Sequence, residues 1–426
     1  MPSLLDELRA RELLAQCSDE AGLAVHLESG SRTVYCGFDP TADSLHIGNL
    51  VPLMTLRRFQ RFGHRPILLL GGATGMIGDP SGRSAERNLN DLDVVGQWVA
   101  RIRAQAEGFL DFDPASNNAA VVVDNLDWTR DLKVIPFLRD IGKHFSVNQM
   151  IQRESVRSRL EREGEGISYT EFSYMLLQAM DYLELAQRYD CTIQIGGSDQ
   201  WGNIVSGMDL VRRKLGREAF ALTLPLITKA DGSKFGKTAE GAVWLDPAKT
   251  SPYRFFQFWL NSADADVVRY LRVFTFLDLG EIDELEREVR EAPERREAQR
   301  RLAREVTAMT HGPAGLESAE RITRALFDGS IETLSEGDLE QLRQDGVDST
   351  VVPHQNVGLL AVLADSGLAK SRSDARKLVQ SKGVRVNGQV EADVDRQLDW
   401  QDALYGRFYL LRRGKKNWHL LVRERA

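Results

Sequence analysis

Thr33-Val34-Tyr35-Cys36-Gly37-Phe38-Asp39-Pro40-Thr41-Ala42-Asp43-Ser44-Leu45-His46-Ile47-Gly48-Asn49-Leu50 is the stretch from which the fold is read. Thr33 to Phe38 reads as a short strand, Asp39 to Ser44 as a turn carrying Asp-Pro, and Leu50 to Phe62 as a helix stopped at Gly63. Pro66 to Leu70 is an unbroken apolar strand with Gly71 and Gly72 directly after it. A strand, a helix and a second, wholly apolar strand are what a parallel sheet covered on both faces requires. The expectation is an α/β domain with a doubly wound parallel sheet, whose ligands sit at the carboxyl ends of the strands.

The same theme returns at Cys191 to Ile195, a strand ending in Gly196-Gly197 and followed by a helical pattern through about Leu215. Past Lys237 the texture changes. Ser251-Pro252 is a good helix start, and the residues through about Thr310 are rich in Glu, Arg, Leu and Ala. The stretch from about Gly329 to Gln355 is acidic and polar and reads as a linker. These changes of texture, past Lys237 and again near Gly329 and Gln355, mark an α/β domain, a helical domain, a linker and a small α+β tail module.

A chain of 426 residues is long enough for two or three domains that each bury a core. Cys17, Cys36 and Cys191 are widely spaced and form no Cys-x-x-Cys pair, which points to a reducing compartment rather than to disulfides or zinc. The first thirty residues lack the basic start and apolar stretch of a signal peptide, and no apolar run approaches the roughly 20 residues of a membrane helix. A soluble cytoplasmic protein is expected. The net charge of −7 is uneven: Asp365 to Ala426 holds 14 Lys/Arg against 8 Asp/Glu, a net +6, leaving −13 for the rest. A basic module on an acidic chain suits a local polyanion contact, although an ordinary basic surface domain has the same composition.

Five constellations carry chemistry, one of them the glycine turn from Gln194 to Asn203 at the end of the strand already described. His46-Ile47-Gly48-Asn49 spans a strand exit and a helix start, where unpaired backbone N–H groups attract phosphates. Lys234-Phe235-Gly236-Lys237-Thr238 puts two lysines in a polar loop suited to a triphosphate. Each pattern alone is common: the first as a helix cap, the second as a solvated turn. Tyr174, Gln178 and Asp181 fall at i, i+4 and i+7 on an otherwise Met, Leu, Ala and Phe-rich helix, so they form a polar stripe that needs partners. A small polar ligand supplies such partners, and so does a hydrogen-bond network between helices. The tail has a helix bearing Arg372, Arg376 and Lys377, then a short strand and an Asn387-Gly388 hairpin.

His46-Ile47-Gly48-Asn49 and Lys234-Phe235-Gly236-Lys237-Thr238, in this order and separation, resemble the "HIGH" and "KMSKS" signatures of the class I aminoacyl-tRNA synthetases. Both depart from the consensus, with Asn for the second His and Phe-Gly for Met-Ser, and both are similar to variants of the tyrosyl branch. The tail resembles a small RNA-binding module shared with a ribosomal small-subunit protein. The resemblance covers nearly the whole chain. It implies a Rossmann-like catalytic domain at 1–245, an α-helical domain on the anticodon side at 246–328, a linker at 329–355 and the RNA-binding module at 356–426. It further implies ATP as a substrate with Mg2+, no tightly bound protein-ligated metal, L-tyrosine and tRNA(Tyr) as partners, and a homodimer with no membrane association.

The resemblance also implies roles. Asp181 with Tyr35 addresses the phenolic hydroxyl of tyrosine, while Tyr174, Gln178 and Asp79 hold its ammonium group. Gln194 lies near the amino acid, Gln200 binds the amino-acid side of the adenylate and Asp199 its ribose. Gly37, Asp39, His46, Gly48, Asn49, Gly197 and Lys237 belong to the ATP site. Asn49 is a ribose donor, and Arg83 and Arg87, which follow the glycine-rich strand exit at Gly71 to Gly82, hold pyrophosphate. His46, Lys234, Lys237 and Thr238 stabilise charge at the transferred phosphorus. Arg372, Arg376 and Lys377 contact RNA phosphates, and a helix from Phe145 to Leu160 is placed at the dimer interface. Two rivals stand beside this reading: a tryptophanyl enzyme, disfavoured by an acidic residue at Asp181, and a non-catalytic RNA-binding protein, disfavoured by the intact His46 and lysine motifs.

Overall fold

The computed structural model describes residues 2–81, 91–161, 166–233, 235–238, 241–352 and 357–424, with backbone alone at 154, 155, 158, 237 and 238. A six-stranded sheet is built from β1 (Gln16–Cys17), β2 (Thr33–Phe38), β3 (Arg65–Leu70), β4 (Val121–Asp124), β5 (Cys191–Gly197) and β6 (Phe220–Leu224) in the order β1-β6-β5-β2-β3-β4. All neighbours are parallel except the two-residue edge strand β1, which runs antiparallel to β6. The chain winds outward from β2 through β3 to β4, then returns to β5 on the other side of β2. The strand order therefore reverses between β2 and β5, which opens a crevice at their carboxyl ends.

The apolar run of β3 is buried from Pro66 to Leu70, and Val34, Ile193 and Ala221 have no exposure. Such continuous burial fits strands covered on both faces. The helix Leu50–Arg61 buries Leu50, Leu53, Met54 and Leu56, and the chain leaves it through Gly63 at φ +88°. A left-handed backbone there suits a residue without Cβ. The helix Tyr169–Tyr189 carries the polar stripe and buries Tyr174, Ala179, Met180, Asp181 and Tyr182.

The chain divides into two compact units. One is the sequence through Leu245 together with Ala263–Ala298, and the other is Asp246–Ser262 with Gln299 onward. The region expected to form one helical domain is largely helical, from Pro252–Leu260 through Asp264–Phe274 and Leu279–Glu291 to Glu297–Asp328. It is nevertheless shared between the units. In the first unit, Arg58 and Arg11 bind the last carbonyls of helix Asp264–Phe274 and its exit. Arg58 Nη2 donates to Val273 O and Thr275 O at 3.1 and 2.7 Å, and Arg11 Nη2 to Leu277 O at 2.7 Å.

In the second unit, Ser251 caps helix Pro252–Leu260 and donates its own N–H to Asp345 at 2.8 Å. Asp345 belongs to the stretch read from sequence as a linker. That stretch is ordered differently: it carries helix Glu336–Gln341 and strand Asp348–Val352, and it buries Ile331, Leu334, Leu339 and Leu342. Spaced leucines on a polar background supplied this core. The strand Asp348–Val352 runs parallel to Asn417–Arg423 at the edge of a five-stranded sheet. Asn387 and Gly388 both have positive φ, 48° and 84°, and join Val384–Val386 to Gln389–Glu391 as a tight hairpin.

The expected helix from Phe145 to Leu160 is broken into Val147–Ile151 and Glu154–Leu160. Arg153 adopts extended backbone at the break, and its guanidinium donates to Ser206 Oγ at 3.3 Å. Arg153 is the N-cap of the second piece, its carbonyl accepting from Arg157 N–H at 2.8 Å. No described helix is long and apolar enough to cross a membrane.

Candidate active site

A cavity of about 390 Å³ opens at the crevice between β2 and β5. Its walls come from separate elements. β2 and its exit supply Tyr35, Gly37 and Asp39; the helix start after it supplies His46 and Asn49; and the site helix supplies Tyr174, Gln178 and Asp181. Gln194, Gly197, Asp199 and Gln200 line it from β5 and the turn beyond, and Asp79 from the exit of β3. Gly48 sits in the His46 turn. Arg83, Arg87 and Lys234 lie outside the described residues, and Lys237 and Thr238 are described by backbone only. Arg372, Arg376 and Lys377 occupy one exposed face of helix Arg372–Gln380 in the second unit, with Ala375 and Val379 turned inward.

At one end of the cavity Asp181 is buried, and both carboxylate oxygens accept bonds: Oδ1 from Trp128 Nε1 at 2.9 Å and Oδ2 from Asn125 Nδ2 at 3.0 Å. Burial raises its pKa to about 7 despite these donors. Tyr35 is fully buried, its ring against Tyr182 at 5.2 Å, and its hydroxyl has no hydrogen-bond partner in the protein. Oε1 of Gln178 and of Gln194 are also buried and unbonded. Buried polar atoms are ordinarily paired, so three such atoms facing one cavity fit a polar ligand held there.

At the middle, Asp39 accepts from Tyr174 Oη and from Thr74 Oγ1, each at 2.7 Å, and Asn125 Nδ2 donates to Thr74 Oγ1 at 2.9 Å. Asp39 is thereby joined to Asp181 through Thr74 and Asn125. Burial, with Asp39 next in order, raises the Tyr174 hydroxyl well above its ordinary pKa and keeps it a donor. Asp79 accepts from Ser81 N–H at 2.9 Å and from Gln200 Nε2. A Cβ on Gly71 would stand 2.1 Å from Asp39 Oδ1, so only glycine lets the carboxylate sit there. Gly37 meets nothing within 4 Å where a Cβ would be, leaving the β2 backbone open to a ligand.

At the far end, His46 caps its own turn: Nδ1 accepts from Gly48 N–H at 3.0 Å, and His46 N–H donates to Asn49 Oδ1 at 3.0 Å. Asn49 thus uses its oxygen on the turn, and its side chain lines the cavity. The lysine segment is bound to this turn. β7 (Lys237–Thr238) pairs with β8 (Gly241–Ala242), and the chain continues through Val243, whose carbonyl accepts from Ile47 N–H at 3.0 Å, to Leu245, whose N–H donates to Leu45 O at 2.8 Å.

Asn125, Trp128 and Thr74 were not assigned a role from sequence. Asn125 and Trp128 follow Val121-Val122-Val123-Asp124, an apolar run ending in Asp-Asn, and strand exits are where ligands gather in such sheets. That was the available signal. Thr74 stood inside the glycine-rich stretch without a distinguishing partner.

A crevice at a topological switch point, with a His-bearing helix start tied to a lysine hairpin, is the architecture of a class I tRNA synthetase. Residues 28–328 match the family model described as tRNA synthetases class I (W and Y), and residues 338–421 match the Tyrosine--tRNA ligase SYY-like C-terminal domain. Curated relatives include a Tyrosine--tRNA ligase of Aliivibrio salmonicida, 56% identical over 419 residues, and one of Dechloromonas aromatica, 55% identical over 418, each covering 98% of both chains. The fold is similar to a C-terminally truncated Aspergillus nidulans mitochondrial tyrosyl-tRNA synthetase, with TM-score 0.69, 30% identity, and coverage of 77% of this chain and 95% of that one. This chain belongs to the tyrosine–tRNA ligase family.

Proposed function

We propose that the protein activates L-tyrosine with ATP and transfers the tyrosyl group to tRNA(Tyr), in the cytoplasm. The observation that carries the amino-acid assignment is that buried Asp181 and the unbonded hydroxyl of buried Tyr35 belong to the lining of one cavity. A phenol placed between them donates to the carboxylate and accepts from Tyr35. Phenylalanine leaves the Tyr35 hydroxyl unpaired and brings Asp181 no donor beyond Trp128 and Asn125. Tyr174, Gln178 and Asp79 then receive the ammonium group, with Gln194 and Gln200 beside them.

The tyrosine carboxylate attacks the α-phosphorus of ATP, which brings Mg2+ on its phosphates, and pyrophosphate leaves. The terminal ribose hydroxyl of the tRNA next attacks the adenylate carbonyl and AMP leaves. No side chain acts as a nucleophile or forms a covalent bond to the substrate. Positioning and charge stabilisation do the work: His46, Lys234, Lys237 and Thr238 at the phosphates, Arg83 and Arg87 on pyrophosphate, and Gly37, Asp39, Gly48, Asn49, Gly197 and Asp199 around the nucleotide. Arg372, Arg376 and Lys377 approach tRNA phosphates.

The assembly is a homodimer. Val134 and Ile135 are 68% and 72% exposed, and Val147 and Ile151 are exposed on the segment that follows; a neighbouring copy covers them. Single-turnover adenylate formation tests the catalytic roles. His46→Ala should slow it by about 2.7–4 kcal/mol of barrier, in line with the loss of one preorganised donor. An unchanged rate would remove His46 from the account.

A further inference from the structure

We propose that Phe235 and Asp266 are positioning residues for the adenylation step: together they fix the backbone of the lysine loop on helix Asp264–Phe274. The inference rests on the tyrosine-activating reading above. Phe235 is the one large apolar residue in Lys229-Ala230-Asp231-Gly232-Ser233-Lys234-Phe235-Gly236-Lys237, a segment otherwise suited to solvent. It is half-buried. Its ring stacks on Phe274 at 5.2 Å with 19° between planes, and meets Tyr270 at 5.1 Å and 58°. Upstream, Ala230 N–H donates to Asp266 Oδ1 at 2.7 Å, and the Lys229 to Ser233 turn is closed by Lys229 N–H to Ser233 O at 3.0 Å. The segment is thus held on this helix at two points, one on each side of Lys234.

The helix is a fixed platform. Phe274 has no exposure, and the carbonyls of Val273 and Thr275 are bound by Arg58, which is 1% exposed. Arg58 belongs to helix Leu50–Arg61, which begins where the His46 turn ends. Downstream, Gly236 O accepts from Val243 N–H at 3.2 Å, and Gly236, at φ +81°, approaches so closely that a Cβ would lie 3.1 Å from Ile47 Cγ1. The loop is therefore registered to the His46 turn by two routes: directly through Gly236 and Val243, and through Phe235, the platform helix and Arg58. A displacement of about 1 Å in such a register costs on the order of 100-fold in rate. Neither Phe235 nor Asp266 lines the tyrosine cavity, so losing either should leave tyrosine binding intact.

The test is single-turnover adenylate formation by the full-length protein, with tyrosine binding and thermal midpoint measured on the same samples. Phe235→Ala and Asp266→Ala should each slow adenylate formation about 10-fold or more, with the tyrosine dissociation constant and the midpoint unchanged. Phe235→Met, long and apolar, and Asp266→Asn, which keeps an acceptor oxygen, should recover most of the rate. Unchanged rates in both alanine variants, or a loss matched by equally weakened tyrosine binding, would overturn the proposal. Wild-type protein run alongside separates the two levels: if it formed no tyrosyl-adenylate, the parent reading would fall as well, whereas an active wild type with insensitive variants would sink only the positioning role.

Discussion

Asn125 donates through Nδ2 to both Asp181 and Thr74, and Thr74 donates to Asp39, so the Asp181 and Asp39 carboxylates of one cavity share one hydrogen-bond chain. Breaking it at Asn125 leaves Asp181 with a single donor in a buried site. Asn125→Ala should lower kcat/KM for tyrosine in pyrophosphate exchange by about 1–3 kcal/mol, the cost of an unsatisfied buried acceptor. An effect below twofold would mean that Trp128 alone orients the carboxylate.

The raised pKa of Asp181 gives a pH signature. Its carboxyl titrates near 7 in the folded protein against an ordinary 3.8, chiefly because burial opposes the charge. Between these values the folded state binds a proton that the unfolded state has released, so this group's contribution to stability falls as pH rises through that window. Asp181→Asn removes the term. Its stability relative to wild type should increase from about pH 4 to about pH 7 and then level off, as read by denaturant unfolding at several pH values. Tyrosine binding by wild type should tighten from pH 6 to pH 8, about one unit either side of that pKa, with proton release, because the phenol donates to the ionised carboxylate.

Gly71→Ala places a methyl group 2.1 Å from Asp39 Oδ1 and forces that carboxylate away from Thr74 and Tyr174. The variant should fold with a penalty of about 1–3 kcal/mol, typical of overpacking, and lose adenylate formation more than it loses stability. Calorimetric unfolding and single-turnover rates on one preparation decide between this and simple destabilisation.

Ile135→Glu puts a charge on the exposed apolar patch at Val134 and Ile135. Sedimentation velocity should show the proposed dimer dissociating at micromolar protein, with the monomer still folded. A variant that sediments as wild type would move the interface elsewhere.

Replacing Arg372, Arg376 and Lys377 together by alanine should weaken tRNA binding uniformly. Three lost phosphate contacts reduce the slope of log affinity against log salt by about 2–3. Tyrosine-dependent exchange should be unaffected, because these side chains project from a helix of the other compact unit.

Local signals made much of this legible in the sequence. Thr33–Phe38 and the strand through Leu70 stand where their apolar runs put them, because a strand buried on both faces has no polar residues to spare. Tyr174, Gln178 and Asp181 line one cavity because helical spacing alone puts them on one side. What stayed hidden depends on distant partners. Asn125 meets Asp181 across 56 residues, and Arg58 captures the carbonyl of Thr275 across 217, which draws part of the helical region into the first unit. The break at Arg153, whose side chain reaches Ser206 across 53 residues, was likewise not visible in the local pattern.

Tyrosine-dependent exchange of labelled pyrophosphate into ATP, with phenylalanine and tryptophan as parallel substrates, tests the central claim most directly. Exchange with tyrosine alone is the predicted result, since only a phenol satisfies Asp181 and Tyr35 together. Exchange with tryptophan, or with none of the three, would contradict it.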